Sequence, residues 1–240
     1  MPPTIWTLPN FAASAVVAIC TTGYSVNYTY YVTLIFQECW GYSALQSAIR
    51  FLPMGIVCTL VALVAEKIIF RFNIKLALVG GLLLATGGQI LLGFYKHESQ
   101  YWSTYFPSVL IGIAGMASVY TSVTITAYSS VPVHLAGIIG GVLNTAFQFG
   151  NGVGLAITTP VATAVSGTSS GAEVEPEQLL KGYHAAIWTT VGIIGVGLIV
   201  AIVFIRVLRP AGGDEEVAVE SEKEKELESS KSGDTVFVRE

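Results

Sequence analysis

The chain has 240 residues, of which 52% are hydrophobic and only 12% are charged, and its mean hydropathy is +0.64. Charged residues make up about a quarter of a typical soluble domain, so this composition excludes an ordinary soluble protein and predicts an all-α integral membrane protein. The net charge is −4 and no basic cluster occurs, which excludes a nucleic-acid partner. Cys20, Cys39 and Cys58 indicate neither a disulfide framework nor a metal site, and we expect no cofactor.

Six stretches have the ~20 mainly apolar residues that a membrane-spanning helix needs. They cover approximately residues 11–36, 47–65, 76–94, 105–128, 135–164 and 185–205. The second stretch is the weakest, because Arg50 lies near its start and Pro53 follows. Proline is tolerated in a first helical turn, and an arginine side chain can reach the interface from a helix end. We therefore predict a polytopic domain of six transmembrane helices over residues 11–206.

The orientation is predicted from the basic residues of the short connections, which mark the cytoplasmic side. These residues follow the second and sixth spans and are Lys67, Arg71, Lys75, Arg206 and Arg209. Both termini are then cytoplasmic, including the short N-terminal segment 1–10. Residues 207–240 are rich in Glu, Lys, Ser and Gly and poor in large apolar residues, which predicts a disordered acidic cytoplasmic tail.

The first span carries a polar aromatic face, in which Tyr24, Asn27, Tyr28 and Tyr31 follow the spacing i, i+3, i+4, i+7. Tyrosine combines a flat apolar surface with a hydroxyl, which suits an amphipathic organic ligand in a cavity. The alternative is an interfacial aromatic belt, which fits Tyr30 and Tyr31 better than the deeper Tyr24 and Asn27. All four residues of the face are candidate substrate-binding residues.

The fourth span adds Tyr120 and Thr124 as further candidates, because they lie four residues apart on one helix face, with Tyr128 another four residues on. The alternative is that the threonine hydroxyl bonds to the backbone of its own helix. A substrate contact and a purely local hydrogen bond are both open at this stage.

The fifth span combines close-packing glycines with a row of amides. The glycines form two Gly-x-x-x-Gly pairs, Gly137 with Gly141 and Gly150 with Gly154. Such pairs allow a neighbouring helix to approach closely. Asn144, Gln148 and Asn151 share one face, and amides at membrane depth need partners from another helix, from water or from a substrate. Interhelical hydrogen bonding and substrate binding both remain open for this row.

Ionisable and catalytic groups are scarce. No Asp, Glu, Lys or Arg lies in the middle of a predicted span, so a residue that couples transport to protons must lie elsewhere. Glu38 and Glu66 lie at span ends, and Arg50 is placed to pair with Glu38. No catalytic signature occurs, so we do not expect an enzyme.

Three runs resemble the second half of the major facilitator superfamily transporters, and are most similar to the fungal fourteen-span drug:proton antiporters. They are YYVTLIFQECWGYSALQSAIRFLPMGI, GIIGGVLNTAFQFGNGVGLA and LLKGYHAAIW. The resemblance covers residues 11–206. It implies one six-helix half-bundle of a two-half transporter, with the first and fourth spans lining the central cavity and the second and fifth meeting the other half. The third and sixth spans would then support the bundle from outside.

The resemblance also implies proton-coupled export of small organic molecules, with the coupling carboxylate in the other half. The expected partners are the lipid bilayer, a small-molecule substrate, protons, and an N-terminal half or a second copy of the chain. The expected location is the plasma or vacuolar membrane. Uptake is an alternative within the transporter class. The alternative from a different class is a non-transporting membrane fragment or an assembly partner of a full transporter.

Overall fold

The computed structural model describes residues 10–71, 73–129, 135–167 and 175–205. The six long helices are α1 (Phe11–Leu34), α2 (Ala44–Arg71), α3 (Ile74–Leu92), α4 (Phe106–Ser129), α5 (Ala136–Ser166) and α6 (Pro176–Phe204). Shorter helical turns follow α1 and precede α4, at Ile35–Cys39, Glu98–Gln100 and Tyr101–Tyr105. No strand occurs within the described ranges, and the predicted all-α fold is confirmed. The predicted N-terminal segment up to residue 9 and the predicted tail, with Arg206 and Arg209, lie outside the described residues.

Two helices begin earlier than their apolar stretches. The sequence predicts a sixth helix from residue 185, but α6 begins at Pro176. A proline at the first helical position and Glu177 in the first turn both favour a helix start there. Helix α2 begins at Ala44, so Pro53 lies inside the helix and not in its first turn. The apolar stretch of a sequence corresponds to the hydrocarbon layer of the membrane, and these two helices extend beyond that layer.

Four helical stretches of the described residues are both long and apolar enough to cross a membrane. They are Ala44–Val61, Ile74–Leu92, Glu98–Ser129 and Pro176–Phe204. The other two helices, α1 with 24 residues and α5 with 31, have the length for a hydrocarbon layer of about 30 Å. Their hydroxyl, amide and glycine residues lower the mean hydropathy. These two helices therefore depend on their neighbours to hide polar groups from lipid.

Helix α1 lies at the centre of the packing and contacts α4, α5 and α6, while α3 packs most extensively on α4. Helix α2 lies at the rim, since only 6% of its stretch Ala44–Val61 is buried, against 39% for Ile74–Leu92 of α3. Its exposed apolar side chains include Leu45, Ile49 and Leu52. Among the described residues, the buried apolar core is thus built from the other five helices, and the stretch Ala44–Val61 of α2 leaves most of its surface available.

Glycines allow the close approach of α3 and α4. A Cβ atom on Gly88 would lie 2.6 Å from the Cα of Gly112, and one on Gly115 would lie 2.4 Å from the backbone nitrogen of Ala85. Both distances are shorter than a real Cβ contact, so the backbones touch where side chains would normally separate them. Van der Waals contact of this kind stabilises helix pairs inside lipid.

Candidate functional site

The polar face of α1 points into the half-bundle. Its four residues, Tyr24, Asn27, Tyr28 and Tyr31, are each at most 1% exposed. They meet α4, α5 and α6, the three long helices that α1 contacts most. In this conformation none of them offers surface to a ligand, and their role as substrate contacts remains a prediction.

A chain of hydrogen bonds joins this face to α5. The hydroxyl of Tyr31 donates to Oγ1 of Thr158 at 3.1 Å, and Thr158 donates to Oδ1 of Asn27 at 2.6 Å. The amide nitrogen of Asn27 donates in turn to the carbonyl of Gly23 at 2.8 Å. These buried polar groups satisfy one another, which lets a polar helix sit inside an apolar bundle.

The other two tyrosines face α4. The hydroxyl of Tyr28 lies 3.4 Å from Oγ of Ser108. The hydroxyl of Tyr24 has no hydrogen-bond partner among the described residues. It lies 2.7 Å from the position that a Cβ atom on Gly112 would occupy, so this glycine makes room for the phenol. Tyr24 therefore acts in this conformation as a large packing residue between α1 and α4.

The amide row of α5 lies at the surface, unlike the buried polar face of α1. Asn144 and Gln148 are exposed and Asn151 is half-exposed. The side-chain nitrogen of Asn151 donates to Oε1 of Gln148 at 3.2 Å. An amide without a partner in lipid costs several kcal/mol. This row is therefore suited to a polar surface outside the half-bundle and not to hydrocarbon.

Tyr120 of α4 stands beside the amide row. It is 46% exposed, and its ring stacks on Phe147 of α5 with centroids 4.7 Å apart and an angle of 20° between the planes. Phe147 lies three residues after Asn144 and one before Gln148, so the stack places the phenol against the stretch of α5 that carries these amides. We call Tyr120, Asn144, Gln148 and Asn151 the α4–α5 polar face.

Thr124 lies one turn beyond Tyr120 and is half-buried. Its hydroxyl donates to the carbonyl of Tyr120 at 2.8 Å, which is the local hydrogen bond that the sequence left open. The prediction of a substrate contact at Thr124 is not tested by this bond, because a hydroxyl oxygen that donates can still accept.

The two glycine pairs of α5 have different surroundings. A Cβ atom on Gly150 would lie 2.4 Å from the carbonyl oxygen of Ile19, and one on Gly154 would lie 2.7 Å from Cα of Gly23, both on α1. Apart from their own helix backbone, no atom of the described residues lies within 4 Å of a Cβ position on Gly137 or Gly141. The pair Gly150 and Gly154 thus lies against α1. The pair Gly137 and Gly141 is open and shares its helix face with Asn144 and Gln148.

Arg50 and Glu38 do not pair, contrary to the prediction. The guanidinium of Arg50 lies 3.7 Å from the ring centroid of Tyr42, a cation–π contact. The hydroxyl of Tyr42 donates to the carboxylate of Glu98, and Glu38 accepts a hydrogen bond from Tyr183. Partial burial and the Glu98 carboxylate raise the pKa of Tyr42 above its usual value. Sequence spacing could not reveal the partners of the two acids, because Tyr42 and Glu98 are 56 residues apart and Glu38 and Tyr183 are 145 residues apart.

Metal ligands do not cluster in this part of the chain: within the described ranges no three His, Cys, Asp or Glu residues stand close enough to hold an ion. The groups gathered at the α4–α5 polar face are amides, a phenol and small residues. Such groups hydrogen-bond and stack on an organic molecule, and they do not supply a nucleophile or a general base.

Sequence comparison with known proteins shows which family the chain belongs to. The chain is 22% identical to "MFS-type transporter 1" of Pyricularia oryzae, over 87% of this chain and 37% of that protein. It is 30% identical to the cephamycin export protein CmcT of Amycolatopsis lactamdurans, over 88% of this chain and 40% of that protein. The puromycin resistance protein pur8 of Streptomyces alboniger is 29% identical, over 73% of this chain and 36% of that protein.

The chain thus spans less than half the length of these relatives, between 36% and 40% of each. The model of the Major Facilitator Superfamily matches residues 1–155, which is 155 of the 240 residues. The resemblance read from the three sequence runs is confirmed. The chain is an integral membrane protein of transporter type and belongs to the major facilitator superfamily.

Proposed function

We propose that this chain forms one six-helix half of a proton-coupled exporter of small organic molecules, and that the α4–α5 polar face lines its substrate pathway. The observation that carries this proposal is the exposure of the amide row on a helix that must lie in a membrane. The names of two relatives, one for puromycin resistance and one for cephamycin export, support a pathway for small organic compounds.

The chemistry of the face fits an amphipathic substrate. Tyr120 offers an aromatic surface that is 46% exposed, and Asn144 and Gln148 offer uncharged donors and acceptors. An aromatic ring beside a few hydrogen-bonding groups is the usual composition of a small-molecule site. Uncharged amides also release a substrate more readily than buried charges would, which suits a site that must bind and let go.

A second half-bundle is needed to enclose this pathway. The α4–α5 polar face and the open pair Gly137 and Gly141 lie on the surface of the half-bundle, and the stretch Ala44–Val61 of α2 leaves most of its side chains exposed. We propose that an N-terminal half or a second copy of the chain covers these surfaces. The proton-coupling carboxylate then belongs to that other half, because no Asp, Glu, Lys or Arg lies in the middle of α1, α4 or α5.

The basic connection after α2 supports cytoplasmic termini, and a plasma or vacuolar membrane is the proposed location. Lys75 at the start of α3 donates to the carbonyl of Ile202 near the end of α6 at 3.0 Å. The start of α3 and the end of α6 therefore lie on the same side of the bundle, as this orientation requires.

The test is efflux of ethidium from vesicles that contain the full 240-residue chain, with and without a proton gradient. We expect ethidium to move down its own concentration gradient, without dependence on the proton gradient, because a second copy of this chain supplies no coupling carboxylate. This flux should fall about tenfold in the Asn144→Ala/Gln148→Ala variant, since tenfold corresponds to about 1.4 kcal/mol of lost binding. The matched control is Thr189→Val, which removes a hydroxyl bonded to its own helix at Ala185 and leaves the flux unchanged.

The flux should rise with the square of the protein density if a second copy supplies the other half. Flux that the double variant leaves intact would overturn the assignment of the α4–α5 polar face. Absence of ethidium flux from folded chain that crosslinks as a dimer would overturn the proposal that two copies suffice.

A further inference from the structure

A cleft of about 690 Å³ opens where α3 ends against α6. The end of α3 meets α6 at Gly93, where a Cβ atom would lie 3.0 Å from the indole of Trp188. From this contact α6 extends back twelve residues to its start at Pro176, or about 18 Å at 1.5 Å per residue. The cleft therefore lies at the boundary between the apolar part of the bundle and a projecting, polar end of α6.

The membrane side of this α3–α6 cleft is aromatic. Phe94 is 56% exposed and Trp188 is 44% exposed, and their rings meet edge to face with centroids 5.8 Å apart. Neither ring is needed to fill the core, because both present much of their surface outwards. Exposed aromatic side chains at a helix end are typical of the level at which acyl chains give way to headgroups.

The other side of the cleft is basic. The described residues that line it include four that can carry a positive charge, Lys96, His97, Lys181 and His184, and one acid, Glu177. Glu177 forms an ion pair with Lys181 at 3.2 Å, but both side chains are largely exposed, so water screens this pair strongly. A negative ligand can therefore compete for the lysine.

His184 adds an imidazole ring in a fixed position to this side. Its Nδ1 lies 2.7 Å from the carbonyl oxygen of Leu180 and its Nε2 lies 2.8 Å from that of Tyr95. These two contacts hold the ring in place between α6 and the end of α3.

We propose that the α3–α6 cleft binds an anionic phospholipid. Lys96 and Lys181 attract its phosphate, and Phe94 and Trp188 contact its acyl chains. A soluble anion would bind the cationic side chains but would make no contact with the aromatic rings. A lipid contacts both sides of the cleft and is therefore the better fit. In the proposed orientation the end of α3 lies on the side opposite the basic connection after α2, so the lipid belongs to the non-cytoplasmic leaflet.

The experiment is a titration of the purified full chain in detergent with phosphatidylglycerol and with phosphatidylcholine, followed by native mass spectrometry. We expect tighter binding of phosphatidylglycerol by about tenfold or more, and loss of this preference in Lys96→Gln/Lys181→Gln, because each lysine near a headgroup contributes about a fivefold change in affinity. The control Lys223→Gln/Lys225→Gln removes the same net charge from the sequence after residue 205 and should keep the preference.

Thermal unfolding of each variant confirms that it folds, and both lysines can be replaced without opening the core because they lie on the surface. A preference for phosphatidylglycerol that survives in Lys96→Gln/Lys181→Gln would overturn the proposal, and so would its loss in the control. Glycerol 3-phosphate forms the last arm. If it displaces the lipid at equal concentration, the cleft binds free phosphate esters and the lipid proposal is wrong.

Discussion

The contact of α5 with α1 at Gly150 leads to a prediction that separates two glycines of one helix. In Gly150→Ala the new methyl group would lie 2.2 Å from Oγ1 of Thr22 and 2.4 Å from the carbonyl oxygen of Ile19. The Thr22 hydroxyl also donates to the carbonyl of Phe147 at 2.8 Å. The substitution therefore forces the two backbones apart and disturbs a hydrogen bond between them.

The expected loss of stability follows from three contributions. Overpacking of a tight contact costs about 1–3 kcal/mol, and loss of a buried hydrogen bond costs about 1 kcal/mol. The higher helix propensity of alanine returns about 1 kcal/mol. We expect Gly150→Ala to lower the free energy of unfolding by about 1–3 kcal/mol in total, which is the first of these ranges because the other two contributions nearly cancel.

Gly141→Ala is the matched control, because it makes the same change on the same helix at a position where no other described part of the chain comes within 4 Å of the new Cβ atom. At Gly141 the only expected effect is the higher helix propensity of alanine, which raises the free energy of unfolding by up to about 1 kcal/mol. The assay is unfolding of the purified chain by sodium dodecyl sulfate in mixed micelles, followed by the loss of helical circular dichroism. If Gly150→Ala proves as stable as Gly141→Ala, the close packing of α1 on α5 is refuted.

Three further predictions concern buried or half-buried hydroxyls. Thr158→Val removes the hydroxyl that joins two polar residues of α1, and it should lower the free energy of unfolding in the same assay by about 1–2 kcal/mol. The control Thr163→Val loses only bonds to its own helix and should change this free energy by less than about 0.5 kcal/mol. Tyr24→Phe removes a buried hydroxyl without a described partner and should leave stability unchanged or higher; a loss above about 1 kcal/mol would show a missing partner. Tyr42 has a raised pKa, so its neutral form, bonded to Glu98, stabilises the fold below about pH 10 and this contribution is lost as the pH rises through the raised pKa. A difference spectrum between wild type and Tyr42→Phe should show ionisation above that pH, and ionisation at or below it would contradict the shift.

The fold could be predicted from the sequence because membrane helices follow from simple rules. Six apolar stretches of spanning length gave the six helices in order, and their ends were wrong mainly where helices leave the membrane. The start of α6 at Pro176 is an example, because a proline and an acid signal a helix start while hydropathy signals only the apolar part. The family resemblance then supplied the arrangement into a half-bundle.

The surroundings of each helix face could not be predicted in the same way. Spacing places Tyr24 and Tyr31 on one face and Asn144 and Gln148 on another, but it does not say which neighbour a face meets. The two glycine pairs of α5 illustrate this limit, because Gly137 and Gly150 belong to identical motifs and only the second touches α1. The partners of Arg50 and Glu38 were mispredicted for the same reason, since each is fixed by tertiary contacts.

The distribution of satisfied polar groups is the strongest physical argument for where the pathway lies. Inside a membrane every polar group needs a partner, and Asn27 of α1 finds its partners within the half-bundle, because it bonds to Thr158 and to the backbone of its own helix. On α5, Asn144 and Gln148 remain on the surface, where Gln148 accepts a hydrogen bond from Asn151 of the same helix. If these amides served only to join helices of this half, they would be buried as Asn27 is. Their exposure favours a polar partner beyond the half-bundle, and the proposed substrate pathway between two halves would supply one.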